Sequence, residues 1–473
     1  MKSICLYFQL HEPMQLKRYR FFGIGTDHYY YNDFASEDTI RYWAENCCLP
    51  ANNTLLEMIR STNGKFKVAF SISGLMLELF EQYAPEVIDS FRELAETGSV
   101  EFLGETYAHS LSSLYDTNEF KQQVKLHSAK IHSLFDLNTK VFCNTELIYS
   151  DEIGEQIAKM GFRGTMLEGA RHIMGWKSSN YLYKHPYVDL TLMPRNYEMS
   201  DNIAVRFSNW GWDQYPLTAE KFIGWIASTP EAEKFIMLGM NYGAIGVYNH
   251  ADSGIYDFLK ALPYHAMMNK ITFATPSEIL ANNKAGDVLS STEPISWADE
   301  EKDLGPWTGN DLQGEALRKL YSVGERVRLC TDKRIKYDWL NLQTCQHFYF
   351  MSTKHFTGNS QAHTGQYESP YEAFMNYMNV LSDFLQRVDE QYPTSIENEE
   401  LNSLLKTINN QEQQIAELEE EVEKLKSAKQ VSAMKEKTPA VKSTEKKATT
   451  KKSTEKKESV KKSVVKKSAT TKK

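Results

Sequence analysis

Lys140-Val141-Phe142-Cys143-Asn144-Thr145-Glu146-Leu147-Ile148-Tyr149-Ser150-Asp151 is the stretch that decides how the rest of the chain is read. After Lys140, Val141-Phe142-Cys143 make a short apolar run that reads as a buried strand. Ser150-Asp151 is a helix start, because a hydroxyl or carboxylate there accepts from the free amides of the first turn. Strand, short polar turn, helix is the repeating unit of a parallel sheet. Glu146 lies in the turn. In closed parallel barrels chemistry is assembled at the carboxyl ends of the strands, which makes this glutamate the first candidate for a reactive group. Taken alone, it could equally be a solvent-facing loop residue.

Outward from this unit, short strand-like runs alternate with amphipathic helical patterns up to about residue 285, which predicts an α/β domain over residues 1–285. The runs that matter are Ile4 to Leu10, Val100-Glu101-Phe102-Leu103, Lys140 to Cys143 and Phe235 to Met240. A helix from Pro85 to Thr97, ended by Gly98, precedes the second of them. The opening Met1 to Leu10 is too brief an apolar run for an export signal and no small-residue cleavage site follows, so it reads as the first strand.

Beyond residue 285 the pattern changes. Residues 286–393 show helical periodicity with aromatic clusters and predict an α-helical domain. Within 394–430 a heptad emerges, with Leu401, Ile408, Ile415 and Val422 at one seam position and Leu404, Gln411, Leu418 and Leu425 at the other. Such a seam predicts a coiled coil and self-association through residues 401–425, leaning towards two strands, or else a solvated helix folded back on its own body. Residues 431–473 are Lys, Ser, Thr, Ala, Val and Glu with little else, and Ser-Thr-Glu-Lys-Lys occurs at 443–447 and 453–457. That composition cannot bury a core and predicts a disordered tail.

Charge divides in the same way. Residues 435–473 carry 15 Lys against four Glu, a net +11, so the overall −8 leaves −19 on residues 1–434. A basic tail of this kind could neutralise a polyanion without sequence preference, act as a solubilising arm, or be drawn to the acidic body. The six cysteines form no CxxC pair and sit in apolar runs, which argues for buried thiols rather than disulfides or a zinc site. No apolar stretch reaches 18 residues, so no membrane helix is expected and the protein reads as cytoplasmic.

Hydrolysis of a glycosidic bond needs two carboxyl groups flanking it, one to attack or stabilise the sugar carbon and one to protonate the leaving oxygen. The order of motifs supplies a context for Glu146. His11-Glu12-Pro13 follows the first strand, Gly98-Ser99-Val100-Glu101 leads into the second, and Glu146 follows the third. Phe273-Ala274-Thr275-Pro276-Ser277-Glu278 and Ser369-Pro370-Tyr371-Glu372-Ala373-Phe374 come later. From residue 1 to about 390 this series resembles glycoside hydrolase family 57, especially its α-amylase-like branch. The resemblance implies an incomplete TIM-like (β/α)7 barrel, an α-1,4-glucan as substrate, retaining chemistry with Glu146 as nucleophile, and no cofactor or metal.

One motif departs from the family. Its proton donor is an aspartate at a strand end, in Asp-x-Glu followed by an aromatic residue and glycine, whereas this chain reads Met240-Asn241-Tyr242-Gly243-Ala244-Ile245-Gly246-Val247-Tyr248. Asn241 stands at the donor position, and an amide has no proton to give on the scale of a carboxylic acid. Hydrolysis is therefore expected to be weak or absent while glucan is still bound. Asp201 and Asp252 are the acids considered as replacements, each equally placed for ordinary helix capping. His11 and Glu101 resemble pocket residues of the family, although spacing alone also allows a packed histidine and a surface glutamate. Glu12 replaces the family's glutamine and adds a charge near the pocket. Trp210, beside Trp212, could stack on glucose rings or pack in the core. Two other readings stay open: an active amylase or glucanotransferase with a relocated acid, and a relic barrel serving as a polyanion-binding interaction protein.

Overall fold

The computed structural model describes residues 2–354 and 365–391, together with positions 407, 408, 411, 414 and 415. Residues 1–405 form one compact unit and 406–473 a second. The first unit contains nine strands among the described residues: β1 (Lys2–Leu10), β2 (Val68–Ile72), β3 (Val100–Phe102), β4 (Val141–Cys143), β5 (Gly164–Glu168), β6 (Tyr183–Lys184), β7 (Thr191–Arg195), β8 (Phe235–Asn241) and β9 (Ile271–Phe273).

Seven of these run parallel around one circuit. β8 pairs with β1, β1 with β2 and β2 with β3. A bridge from Gly104 to Phe142 carries the circuit from β3 to β4, and ladders join β4 to β5 and β5 to β7. Between β7 and β8 the closure is a backbone bond from Asn196 N to Met237 O at 2.9 Å. β9 adds to the start of β1, and β6 lies antiparallel to β7. The alternating pattern predicts the parallel α/β domain, and the seven-stranded barrel-like form is the one the family resemblance implies.

Period-two alternation divides each strand between the barrel interior and the helical coat. Cys5 and Tyr7 on β1, Ala69 on β2, Val141 and Cys143 on β4, Met166 on β5, Met193 on β7 and Met237 on β8 form one buried cluster inside. Ile4, Leu6, Phe8 and Leu10, with Phe70 and Leu238, belong to the outer core against the helices. The Tyr7 ring fills the interior so closely that a Cβ on Gly239 would lie 2.1 Å from its Cζ, which is why β8 carries glycine there. One step higher the inward positions turn polar: Gln9 on β1, Ser71 on β2, Glu168 on β5, Arg195 on β7 and Asn241 on β8. The bottom of the barrel is a packed core and its carboxyl end a polar floor.

Caps fix where the helices leave that floor. Ser73 accepts from Met76 N to start helix Gly74–Tyr83, Asp116 caps Thr117–Phe135, and Ser150 accepts from Ile153 N to start Asp151–Lys159. Helix Pro85–Glu96 lies where the sequence placed a helix, and Pro276–Asn282 starts from a capping box of Thr275 and Glu278. The expected helical region contains Asp311–Tyr321, Lys333–Leu342, Cys345–Tyr349 and Pro370–Gln391. It is tied to the first 33 residues by a buried network in which Arg387 donates to Asp338 at 2.6 Å and to the Tyr30 hydroxyl at 2.8 Å, while Tyr30 donates to Asp383 at 2.6 Å.

The predicted coiled coil and lysine-rich tail lie outside the described residues, apart from five helical positions in the second unit. Two of these, Ile408 and Ile415, are β-branched seam residues, and both are exposed. Among the described residues, no helix is long and apolar enough to cross a membrane. The six cysteines are free and buried, as their apolar surroundings predicted.

Candidate active site

Glu146 stands at the carboxyl end of β4 in the turn Thr145–Leu147. Its φ is +52°, and Leu147 follows at +53°. Two successive non-glycine residues in the left-handed region cost energy and persist only when their surroundings hold them, a condition found mostly at functional sites. Here the turn is held by backbone bonds from Trp297 N to Glu146 O at 3.1 Å and from Ile148 N to Thr145 O at 2.9 Å. His109, which faces Glu146, has a φ of +49° and is likewise held, its carbonyl accepting from Cys345 N at 3.0 Å.

The carboxylate is gripped from three sides. Oε1 lies 3.1 Å from His109 Nε2 and 4.0 Å from Cys345 Sγ, and Oε2 accepts from the Trp297 indole N–H. The Glu146 side chain keeps 19% exposure, against 2% for His109. Behind His109, Nδ1 lies 3.4 Å from Glu105 Oε1, and the Ser71 hydroxyl donates to Glu105 Oε2. Burial alone would lower the His109 imidazole, but the Cys345 sulfur and the Glu105 and Glu146 carboxylates raise it well above its ordinary range. A protonated ring can donate to both glutamates at once, which fixes the rotamer of Glu146. Burial pushes the Cys345 thiol up to about 11, against the pull of the His109 charge. Glu146 Oε1, His109 Nε2 and Cys345 Sγ also lie within 4.8 Å of one another, a spacing that could admit a soft cation, but their mutual hydrogen bonds already account for the arrangement.

The sequence-derived candidates fall into three groups. His11 and Asn241 share the polar end of the barrel with Glu146. His11 stacks on His109 with centroids 4.5 Å apart, its Nδ1 lies 2.6 Å from Ser73 Oγ, and its Nε2 is buried without a hydrogen-bond partner among the described residues. Burial, with His109 and His347, pushes its imidazole well below the usual range. Asn241 ends β8 level with Gln9, and its Oδ1 accepts from Gly243 N at 2.8 Å.

Asp201 is occupied elsewhere. It accepts from Arg195, whose guanidinium also donates to Glu168 at 2.8 Å and to Gly239 O at 2.6 Å. Asp252 lies exposed in the turn Ala251–Ser253. Glu101 sits in the middle of β3, level with Ala69, and accepts from Ser277 N at 2.9 Å and from the Ser277 hydroxyl. That places it four residues back from Glu105, the acid that reaches the strand-end cluster. Trp210 is 82% exposed and stacks on Tyr215 at 5.3 Å, while Trp212 packs edge-on to Trp225.

Four residues of the cluster escaped sequence reasoning. Glu105 and His109 had a usable signal: they follow β3 directly, at a strand end, with a spacing of four. Trp297 and Cys345 had none, because they arrive from segments 151 and 199 residues away from Glu146.

A parallel barrel carrying a partly exposed, imidazole-braced carboxylate at its carboxyl end is a scaffold for nucleophilic or acid–base chemistry. The chain belongs to glycosyl hydrolase family 57, whose sequence profile matches residues 5–292. A relative from Methanocaldococcus jannaschii, described as "Putative alpha-amylase", is 34% identical over 395 residues, covering 80% of this chain and 84% of its own. The fold is similar to that of a GH57 branching enzyme from Thermococcus kodakaraensis solved in complex with glucose, with a TM-score of 0.63 at 12% identity over 86% of this chain and 94% of that one. It is also similar to a 4-alpha-glucanotransferase from Thermococcus litoralis, with a TM-score of 0.56 at 12% identity over 74% and 58% of the two chains.

Proposed function

We propose that this chain binds α-1,4-glucan at the carboxyl end of its barrel, with Glu146 as a retaining-type nucleophile and Asn241 at the position of a lost proton donor. The observation that carries the reading is the grip on Glu146. A carboxylate that accepts from His109 and Trp297, at the end of a barrel strand and still open to solvent, is aimed at a reacting carbon. The relatives named as an amylase, a branching enzyme and a glucanotransferase favour an α-glucan over other sugars. His11, with its unpartnered Nε2, fits a contact to a sugar hydroxyl.

Asn241 cannot donate as an acid would, and general acid catalysis is typically worth about 10²–10⁴-fold. The protein is therefore expected to retain glucan while cleaving it slowly. Affinity electrophoresis in gels containing starch or glycogen, beside product analysis with maltooligosaccharides, tests both halves. Retention with slow release of reducing ends supports the reading. Absence of retention, or turnover as fast as a working amylase that survives neutralisation of Glu146, overturns it.

Self-association through residues 401–425 and a nonspecific polyanion contact by residues 431–473 complete the proposal. The exposed seam residues Ile408 and Ile415 support the first, and the lysine excess supports the second.

A further inference from the structure

The barrel has a second concave face, at the end away from Glu146. A cavity of about 380 Å³ is lined there by Phe235, the first residue of β8, by Leu182 just ahead of β6, and by Asn283 just past helix Pro276–Asn282. Glu146 lies beyond the last residue of β4, and β4 and β8 belong to one parallel circuit, so the two openings are at opposite ends of the barrel. Leu182 and Phe235 are buried members of the interior cluster, which makes the floor of the cavity the apolar plug of the barrel itself. A hollow of this size suits a small molecule.

Its walls are pinned, and they carry both rings and charge. Gly175, at a φ of +57°, ends helix Arg171–Met174, and Trp176 follows it at 90% exposure. From there to β6 the chain is held by Glu233, whose two oxygens accept from the Ser178 hydroxyl at 2.8 Å and from Asn180 Nδ2 at 2.7 Å. The facing stretch is held by bonds from Gly286 N to Leu182 O at 3.1 Å and from Lys184 N to Asp287 O at 2.8 Å. Trp176 and the exposed Tyr181 bring two aromatic rings to the lining. Three lysines, Lys177, Lys234 and Lys284, line it against one acid, Asp287. Lys177 pairs with that acid at 3.0 Å. The ammonium groups of Lys234 and Lys284 have no acid or hydrogen-bond partner among the described residues. A net positive hollow on a body that carries −19 over residues 1–434 draws anions to itself.

We propose that this cavity binds a phosphorylated sugar, with the sugar ring on Trp176 and the phosphate between Lys234 and Lys284. An indole offers a flat apolar face on which a pyranose ring can lie. A lysine ammonium is a compact point charge that serves a phosphate from several directions. Neither half of the lining is answered by the simpler ligands: a neutral glucan leaves both lysines unpaired, and a bare phosphate leaves Trp176 uncovered. The shared chemistry is a phosphomonoester on a hexose ring, carried either by a free sugar phosphate or by a glucan chain. The site makes no use of Glu146, so it stands or falls separately from glucan binding at the other end of the barrel.

Titration calorimetry of the full chain with glucose 1-phosphate, glucose 6-phosphate, inorganic phosphate, maltose and ADP tests this. At least one hexose phosphate is expected to bind about tenfold more tightly than inorganic phosphate or maltose. Trp176→Ala is expected to weaken that binding about tenfold, and Lys234→Ala with Lys284→Ala about 10–100-fold. Lys234→Arg with Lys284→Arg keeps both charges and is expected to retain most of the affinity, which guards against an effect of folding. Glu146→Gln is expected to bind the hexose phosphate as wild type does, and Trp176→Ala to be retained by starch or glycogen as wild type is. A maltooligosaccharide bearing a 6-phosphate separates the two sources: tighter binding than glucose 6-phosphate assigns the ester to a glucan chain, weaker binding to the free sugar. Maltose or inorganic phosphate binding as tightly as the hexose phosphates overturns the proposal, and so does ADP binding more tightly than either. Variants that bind like wild type, loss of glucan retention in Trp176→Ala, or no binding of either hexose phosphate at millimolar concentration also overturn it.

Discussion

His109 Nε2 lies 3.1 Å from Glu146 Oε1, and the same ring stacks on His11 at 4.5 Å. One imidazole therefore links the first motif of the chain to its candidate nucleophile, and its removal should be felt at both.

Replacing His109 with alanine leaves the Glu146 carboxylate with the Trp297 donor and the more distant Cys345 thiol, and removes the imidazole that links it to Glu105. The first-turnover burst from α-maltosyl fluoride, whose leaving group departs without protonation, is expected to slow by about 10–10³-fold through lost positioning of the nucleophile. Stopped-flow fluoride release measures this, with circular dichroism as the check on folding.

Asn241→Asp is expected to raise oligosaccharide cleavage, but only by about tenfold rather than by the full 10²–10⁴ of a tuned acid. The reason is local: Oδ1 at this position accepts from Gly243 N at 2.8 Å, a bond that favours the ionised form. Adding Gly243→Glu is expected to give no further gain, because Trp43 fills the space. Rates of reducing-end release from the single and double variants decide it.

Stability should report the raised carboxyl of Glu12. Its folded value is about 7 against an ordinary 4.5, so between those limits the folded chain holds a proton that the unfolded chain has lost. Stability therefore falls as pH rises from about 4.5 to about 7, then levels. A displacement of this size corresponds to about 3 kcal/mol, reduced to about 1–2 kcal/mol by solvent at a partly exposed group. Urea denaturation of wild type and Glu12→Gln at pH 5 and pH 8 is expected to show the variant gaining on wild type at the higher pH.

Gly239→Ala tests the packed half of the barrel. The new methyl would sit 2.1 Å from Tyr7 Cζ, and overpacking of a filled core costs about 1–3 kcal/mol. The loss should appear in urea midpoints without altering which glucan is retained.

The strands β1, β4 and β8 were legible because they read as buried apolar runs with clear stops, and β3 because it follows a helix ended by Gly98. β5 and β7 are quieter, since Glu168 and Arg195 point into the polar floor and break the hydrophobic signal. At the site, Glu146 and Asn241 were readable because one lies just past a strand end and the other at one. Asp201 and Asp252 looked equivalent to them in one dimension; the pairing of Asp201 with Arg195 and the exposure of Asp252 are visible only in three. Trp297 and Cys345 belong to the stretch read as a helical addition, and no local pattern links them to a strand end far upstream.

That last arrangement sets the size of the smallest working piece. A protein shortened to its barrel would keep Glu146 yet lose the Trp297 indole and the Cys345 backbone amide that anchors His109. Recombination or gene fission near residue 285 would then leave that key side chain without two of its supports. Inheritance of the chemistry requires the barrel and the helices behind it to travel together.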